Sequence, residues 1–404
     1  MNEQLPILIA GGGIGGLATA IGLAQRGQAS IVLEKAPKLG EIGAGIQLGP
    51  NAFHCFDALG IGEQARSMAV YIDSLRFMDA ISAEEVARIP LDETFRTRYG
   101  NPCAVIHRGD LHGVFLRACT EHSLVDLRTS SEVVDYEQDG TSVTALLEDG
   151  RRVKGRILVG ADGLWSNIRK RVVGDGKPRV SGHTTYRSVI PVDEMPEDLR
   201  WNAATLWAGP KCHIVHYPLS DWKLFNLVVT YHNEAPEPVA GVRVSNDEVM
   251  RGFAHLHEKA RKVIEIGKDW KLWVLCDRDP VAQWRDGRVV LLGDAAHPMM
   301  QYFAQGACMA MEDAVSLGIE LEAYSDVERS LSAYVEKRYL RTARVQLQSR
   351  WIGEHIYHPA GVHAELRNAI MRNKTPDEWY QAVDWIYGGS QNNAGEIPTS
   401  RLPS

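Results

Sequence analysis

Apolar residues follow two rhythms along this chain. Short unbroken runs at Leu5 to Ala10, Ser30 to Leu33 and Ile157 to Val159 have the length and make-up of buried parallel strands. Between the first two, Leu17, Ala18, Ile21, Leu23 and Ala24 recur at helical intervals and predict a helix over Ile14 to Gln25. Helical spacing returns at Asn51 to Leu59, with Asn51 as the expected N-cap, and within Ala104 to Thr120, where Asp110 falls near the helix start. It returns again at Ser166 to Arg171, Asn246 to Ile266, Ala307 to Leu321 and Asp326 to His355. Tyr71 to Ala80 and Glu85 to Pro90 predict a hairpin. Asp126 to Leu147 predicts a meander, with turns at Gln138-Asp139-Gly140 and Asp149-Gly150.

Between residues 182 and 231 the pattern becomes strand-like throughout. Thr184 to Pro191, Ala204 to Trp207, His213 to Pro218 and Lys223 to Tyr231 predict an antiparallel sheet. Alternation then places Lys211, His213, Val215 and Tyr217 on one face, and Cys212, Ile214, His216 and Pro218 on the other. Segment 233–245 is expected to be a surface loop. The glycine-rich Gly40 to Pro50 is expected to be a loop lying against a planar or phosphorylated ligand within reach of Gln47. The aromatic Trp379 to Tyr387 is expected to pack back onto the body.

The turn after the first strand carries Gly11, Gly13 and Gly16 at G-x-G-x-x-G spacing, and the second strand ends in Glu34. Gly11 permits the tight turn, Gly13 lets a pyrophosphate approach the backbone, and Gly16 lets helix and strand pack closely. The free N–H groups of the helix start favour phosphate, and Glu34 stands where a carboxylate can accept from ribose hydroxyls. An acid there disfavours a ribose phosphate, and so NADP, but does not choose between NAD and FAD. The fold class is therefore α/β: a Rossmann-like nucleotide-binding domain with an inserted antiparallel-sheet substrate domain and C-terminal helices. The expected boundaries are 1–180 and 281–325 for the nucleotide domain, 181–280 for the insert and 326–404 for the helical end.

The 404 residues, 45% hydrophobic and 24% charged, suit a chain of two or three domain-sized units. A net charge of −7 argues against a nucleic-acid surface. No apolar run is long enough to span a bilayer, and the N-terminus has no basic stretch of a cleavable signal. The six cysteines include no C-x-x-C pair, so neither a disulfide frame nor a metal site is expected, and a reducing cytoplasm is.

Four other places carry candidate chemistry. Arg108, at a strand-to-helix junction, could reach a phosphate or a flavin edge, or simply face solvent. Asp162, in the turn Gly160-Ala161-Asp162-Gly163, could bond ribose, help hold a second nucleotide, or be a plain turn residue. Arg288 to Ala296 repeats the strand-then-Gly-Asp arrangement at Asp294 and leads to Gln305-Gly306. His213 and Tyr217, two polar aromatics on one strand face, suggest a pocket wall for a small polar ring, with His216 on the opposite face as the rival.

GGGIGG, VGADG at 159–163 and LLGDAAHPMMQYFAQGACMAMEDA at 291–314, in that order, resemble the single-component flavin-dependent aromatic hydroxylases over nearly the whole chain. The resemblance implies bound FAD, with Gly11, Gly13, Gly16 and Glu34 on its ADP half and Arg108 near the flavin. It also implies Asp162 in the turn associated with FAD and reduced nicotinamide, Asp294 at the ribityl chain, and Gln305-Gly306 near the isoalloxazine. Only one fingerprint is visible, which fits a family in which reduced nicotinamide binds transiently, and the resemblance implies NADH as that co-substrate. Many relatives have proline where this chain has Gln301. That departure, with GPKCHIVHYPL, resembles the members acting on 3-hydroxybenzoate more than those acting on salicylate. The implied reaction reduces FAD with NADH, forms a C4a-hydroperoxide with O₂, and hydroxylates an aromatic acid para to its hydroxyl. His213 would be the base, and Gln301 and Tyr217 would orient the ring. The long helices and aromatic tail could support a homodimer.

Overall fold

The computed structural model describes residues 5–40 and 44–388. Its nucleotide half is built on a six-stranded sheet ordered Arg285–Asp286, Val289–Leu291, Ile157–Gly160, Ile7–Ala10, Ser30–Leu33, Val125–Arg128. The four pairs from Val289–Leu291 to Val125–Arg128 are parallel, and only the two-residue edge strand runs antiparallel. Every residue of Ile7–Ala10, Ser30–Leu33 and Ile157–Gly160 is buried, as unbroken apolar runs covered on both faces must be. The helix Ile14–Ala24 packs over this sheet, with the long helix Gly306–Ala323 against it. The expected meander is present as Val133–Gln138, Val143–Leu147 and Arg152–Gly155, while its start at Asp126 belongs instead to the parallel strand Val125–Arg128.

The second half is an eight-stranded sheet ordered Ala240–Arg243, Lys271–Asp277, Arg179–Pro191, Leu224–His232, Cys212–Leu219, Ala203–Gly209, Ser74–Asp79, Glu85–Pro90. The expected hairpin of residues 71–90 therefore forms two strands of this sheet. It joins through a parallel pairing of Ser74–Asp79 with Ala203–Gly209. One face of the sheet is closed by Asn246–Arg251 and Glu258–Glu265 over a core containing Trp207, Phe225, Phe253 and Trp270. The opposite face looks into the interior of the molecule. At the C-terminal end, Pro376–Tyr387 lays Tyr380 and Tyr387 against Phe95 and Tyr99, so the aromatic segment does pack back.

Several expectations need correction. Gly45–Leu48, inside the glycine-rich segment, is a strand paired with Ala104–His107. Backbone bonding to a buried partner overrides its poor intrinsic preference. Residues 41–43 of that segment lie outside the described residues, as do 389–404 of the expected helical end. Asn51 is not an N-cap: Gly49 is, with Pro50 in the first turn, and the Asn51 side chain points inward. Part of the expected loop 233–245 forms the exposed edge strand Ala240–Arg243. Lys211 does not share the face of His213, because it sits at φ +58° in the turn before the strand begins at Cys212.

Candidate functional site

At the first turn the geometry excludes side chains. A Cβ on Gly16 would lie 1.9 Å from the Gly11 carbonyl oxygen, and one on Gly11, at φ +108°, would lie 2.4 Å from the Ala161 oxygen. Gly13 precedes the helix with no side-chain cap, so the first-turn N–H groups stay available to an anion. Glu34 accepts from the backbone N–H of Gly12 at 2.7 Å and of Ala36 at 2.8 Å, which fixes its carboxylate beside the glycine turn. His112, which no sequence signal singled out, braces the turn from behind through the Gly12 carbonyl at 2.9 Å.

From this turn a cavity of about 1180 Å³ runs between the two sheets. Gly13, Gln47, Arg108, Asp294, Gln305 and Gly306 line it, and so do His213, Tyr217 and Gln301. Thus nine of the thirteen candidate residues meet on one surface. Gly11, Gly16 and Glu34 shape the turn at its mouth. The Asp162 carboxylate accepts from Ser166 Oγ at 2.5 Å and from the Asn167 N–H at 2.8 Å, at the start of the helix Asn167–Val172, whose N-cap is Ser166. The neighbours Ala161 and Gly163 line the cavity in its place.

The segment bearing Asp294 and Gln305 is held by a buried charge network. Asp313 accepts from the Gly293 N–H at 3.0 Å, bonds His297 Nε2 at 2.5 Å and accepts from Arg338 Nε at 2.7 Å. Glu312 accepts from Arg338 at 2.6 Å, Arg341 at 2.7 Å and Asn51 at 2.8 Å, and Asn51 also donates to Gln305 Oε1 at 2.9 Å. Despite complete burial, Arg341 and Arg338 hold the Glu312 carboxyl, and His297 and Arg338 the Asp313 carboxyl, at about 2, below the usual carboxylate range. These ionised pairs fix the start of Gly306–Ala323 and the Gly293–Ala295 turn in one arrangement.

On the sheet wall, alternation separates the two candidate histidines. His216 faces the closed core and accepts from Trp207 Nε1 at 3.1 Å, while its Nδ1 has no partner. His213 faces the cavity, with Nδ1 2.8 Å from His358 Nε2. Burial lowers the pKa of each to about 3, so both rings are neutral at physiological pH. Tyr217, with burial raising its pKa, lies against the strand carrying Gln47: a Cβ on Gly45 would come within 2.8 Å of its hydroxyl. The Gln301 amide is engaged with the sheet. It donates to Thr185 Oγ1 at 3.0 Å and Thr230 Oγ1 at 3.1 Å, and it accepts from Arg187 Nη2 at 2.7 Å.

Arg187 is the cavity residue that sequence reasoning missed. It lines the cavity with Nε buried and unbonded, burial depresses its pKa, and among the described residues no carboxylate pairs with it. A lone arginine in a strand offers no signal of this, since the same pattern describes a solvated edge. A buried guanidinium facing a cavity is a site for an anionic group.

Residues 4–349 match the family described as FAD binding domain. The chain is 57% identical over 382 residues to 3-hydroxybenzoate 6-hydroxylase 1 of Aquipseudomonas alcaligenes, covering 95% of this chain and 97% of that one. It is 50% identical over 391 residues to 3-hydroxybenzoate 6-hydroxylase of Polaromonas naphthalenivorans, covering 96% and 97%. Among solved structures, HpxO of Klebsiella pneumoniae complexed with FAD and uric acid aligns at TM-score 0.81 and 25% identity, over 94% of this chain and 95% of that one. A salicylate hydroxylase substrate complex shares the fold at TM-score 0.81 and 24% identity, over 96% of each chain. The side-chain-free turn, the carboxylate beside it and the long cavity all suit FAD, and with these matches they make the chain a member of the flavin-dependent aromatic hydroxylases.

Proposed function

We propose that this chain uses NADH and O₂ to hydroxylate 3-hydroxybenzoate para to its hydroxyl, giving 2,5-dihydroxybenzoate, NAD⁺ and water. The observation that carries the reading is the near-complete coverage by relatives at 57% and 50% identity that bear the name 3-hydroxybenzoate 6-hydroxylase. A cavity wall that carries the Arg187 guanidinium and the neutral His213 imidazole suits such a substrate.

Gly11, Gly13, Gly16 and Glu34 would hold the ADP half of FAD, and Gln47, Arg108, Asp294, Gln305 and Gly306 line the space that would take its remainder. When bound and reduced, FAD supplies the activated oxygen. The chain's own residues make the ring receptive to it. A phenol ionises near ~10, so the site must take or share that proton for the ring to become electron-rich at neutral pH. Neutral His213 is the acceptor for it. Arg187, held in place by Gln301, faces the anionic substrate, and Tyr217 bonds its carboxylate or hydroxyl. The cover provided by the sheet excludes water.

The test is NADH oxidation and product identification across the monohydroxybenzoates under labelled O₂. Label in 2,5-dihydroxybenzoate from the 3-isomer is the expected result, and decarboxylative conversion of salicylate alone would refute the assignment. His213→Ala is expected to slow hydroxylation and alter its pH profile; an unchanged rate and profile would remove the base role.

A further inference from the structure

Behind His213 lies a row of imidazoles extending from the cavity wall toward solvent. His213 and His358 stack with ring centroids 5.0 Å apart and share the 2.8 Å Nδ1–Nε2 contact. His358 lies 5.2 Å from His183, and His183 lies 4.2 Å from His232, its cross-strand partner. His213 and His358 are buried, whereas His183 and His232 are half-buried. Tyr302 and Tyr357 flank the row 5.3 and 5.0 Å from His213, and the Tyr302 hydroxyl bonds His183 Nδ1.

Two imidazole nitrogens in contact share one proton, and its position decides what His213 can do. With the proton on His358 Nε2, His213 carries its own hydrogen on Nε2 and can only donate to a ligand. With the proton on His213 Nδ1, Nε2 presents a lone pair. Among the described residues no ion pair touches either ring. The charged groups beside the row are Arg179 and Asp277 near His183, with Asp277 paired to both Arg179 and Arg350. A lasting imidazolium at His213 would therefore be buried and uncompensated, so this ring can accept a proton only while releasing another.

We propose that His358 is a positioning residue that sets the tautomer of His213, receives its proton and so passes the substrate's hydroxyl proton away from the cavity toward solvent. This rests on the proposed function. The substrate O–H bond breaks as His213 Nε2–H forms, and His213 Nδ1–H breaks as His358 Nε2–H forms. His358 Nδ1–H then gives its proton to water. No electrons change hands, and neither buried ring ends charged.

Histidine ¹⁵N spectra of the native FAD-loaded protein test the first half. His213 is expected as the Nδ1–H tautomer, and an Nε2–H tautomer would overturn the proposal. For the second half, His358→Phe is expected to lower product formed per NADH at least tenfold and to shift the pH profile of hydroxylation upward. FAD reduction by NADH in the presence of 3-hydroxybenzoate should stay within twofold, and added imidazole should restore part of the product yield. Product yield and pH profile both within twofold of native would overturn the relay. Should the native enzyme form no product from 3-hydroxybenzoate, the substrate assignment fails, and the tautomer measurement still decides the role of His358.

Discussion

Acidification from about pH 6.5 to about pH 5 isolates the energetic cost of burying neutral imidazoles in this fold. His213, His216 and His358 are 2%, 0% and 8% exposed. Burial lowers all three pKa values, to about 3 for the first two, and the neighbouring imidazoles lower His358 further. In the unfolded chain each takes a proton near ~6.5, whereas in the folded chain none does within this window. Stability contributed this way is intact above ~6.5 and falls below it, as the unfolded state binds protons the folded state refuses. One pH unit is worth about 1.4 kcal/mol per group, so the interval removes about 1.5 kcal/mol for each histidine and about 5 kcal/mol for the three. That is a large share of the ~5–15 kcal/mol typical of a folded protein. Glu312 and Asp313, held at about 2, begin to lose their contribution only below the unfolded carboxylate range near ~4, outside the window. His216→Gln keeps an acceptor for the Trp207 indole but cannot titrate. His183, lowered to about 4 chiefly by burial, loses a similar amount over the same interval, so urea denaturation followed by far-ultraviolet circular dichroism, with saturating FAD at both pH values, should show the variant losing about one quarter less stability than the native chain. Equal losses would refute the reasoning.

Gly16→Ala should yield protein without bound flavin, because its methyl would enter the Gly11 carbonyl; a normal flavin absorbance after purification would contradict this. Arg338→Met leaves Asp313 with His297 alone and Glu312 with Arg341 alone in the core and should cost roughly 3–5 kcal/mol in chemical denaturation; a loss below about 1 kcal/mol would show that the network relaxes. Arg187→Gln should raise the KM for 3-hydroxybenzoate about tenfold or more, the loss of one charge-assisted bond, while FAD affinity stays unchanged; equal KM values would place the anion elsewhere. Gln301→Pro removes the links to Thr185, Thr230 and Arg187, and should release more H₂O₂ per NADH without weakening FAD binding; undiminished coupling would count against that role.

The parallel sheet was legible because its strands are buried on both faces and so read as unbroken apolar runs. The glycine turn was legible because close approach of backbone to backbone admits no other residue. Alternation along Cys212–Leu219 likewise sorted His213 and Tyr217 from His216. What escaped depended on partners distant in the chain. Gly45–Leu48 reads as a loop until Ala104–His107 supplies its hydrogen bonds. Glu312, Asp313, Arg338 and Arg341 were visible as helix residues, yet two adjacent acids meet their arginines only once the two helices pack. Arg187 and His358 have no local pattern at all, and their roles arise from burial and from the ring or cavity each faces.

The parallel junction between Ser74–Asp79 and Ala203–Gly209 has a practical consequence for anyone recombining these enzymes. A swap limited to residues 181–280 would cut the substrate sheet at that seam and join a foreign Ala203–Gly209 equivalent to the host's hairpin. Side chains selected to interlock across the seam would no longer match. Chimeras that move residues 74–90 together with 179–280 keep all eight strands from one parent, and these should be the ones that fold and carry their donor's substrate preference with them.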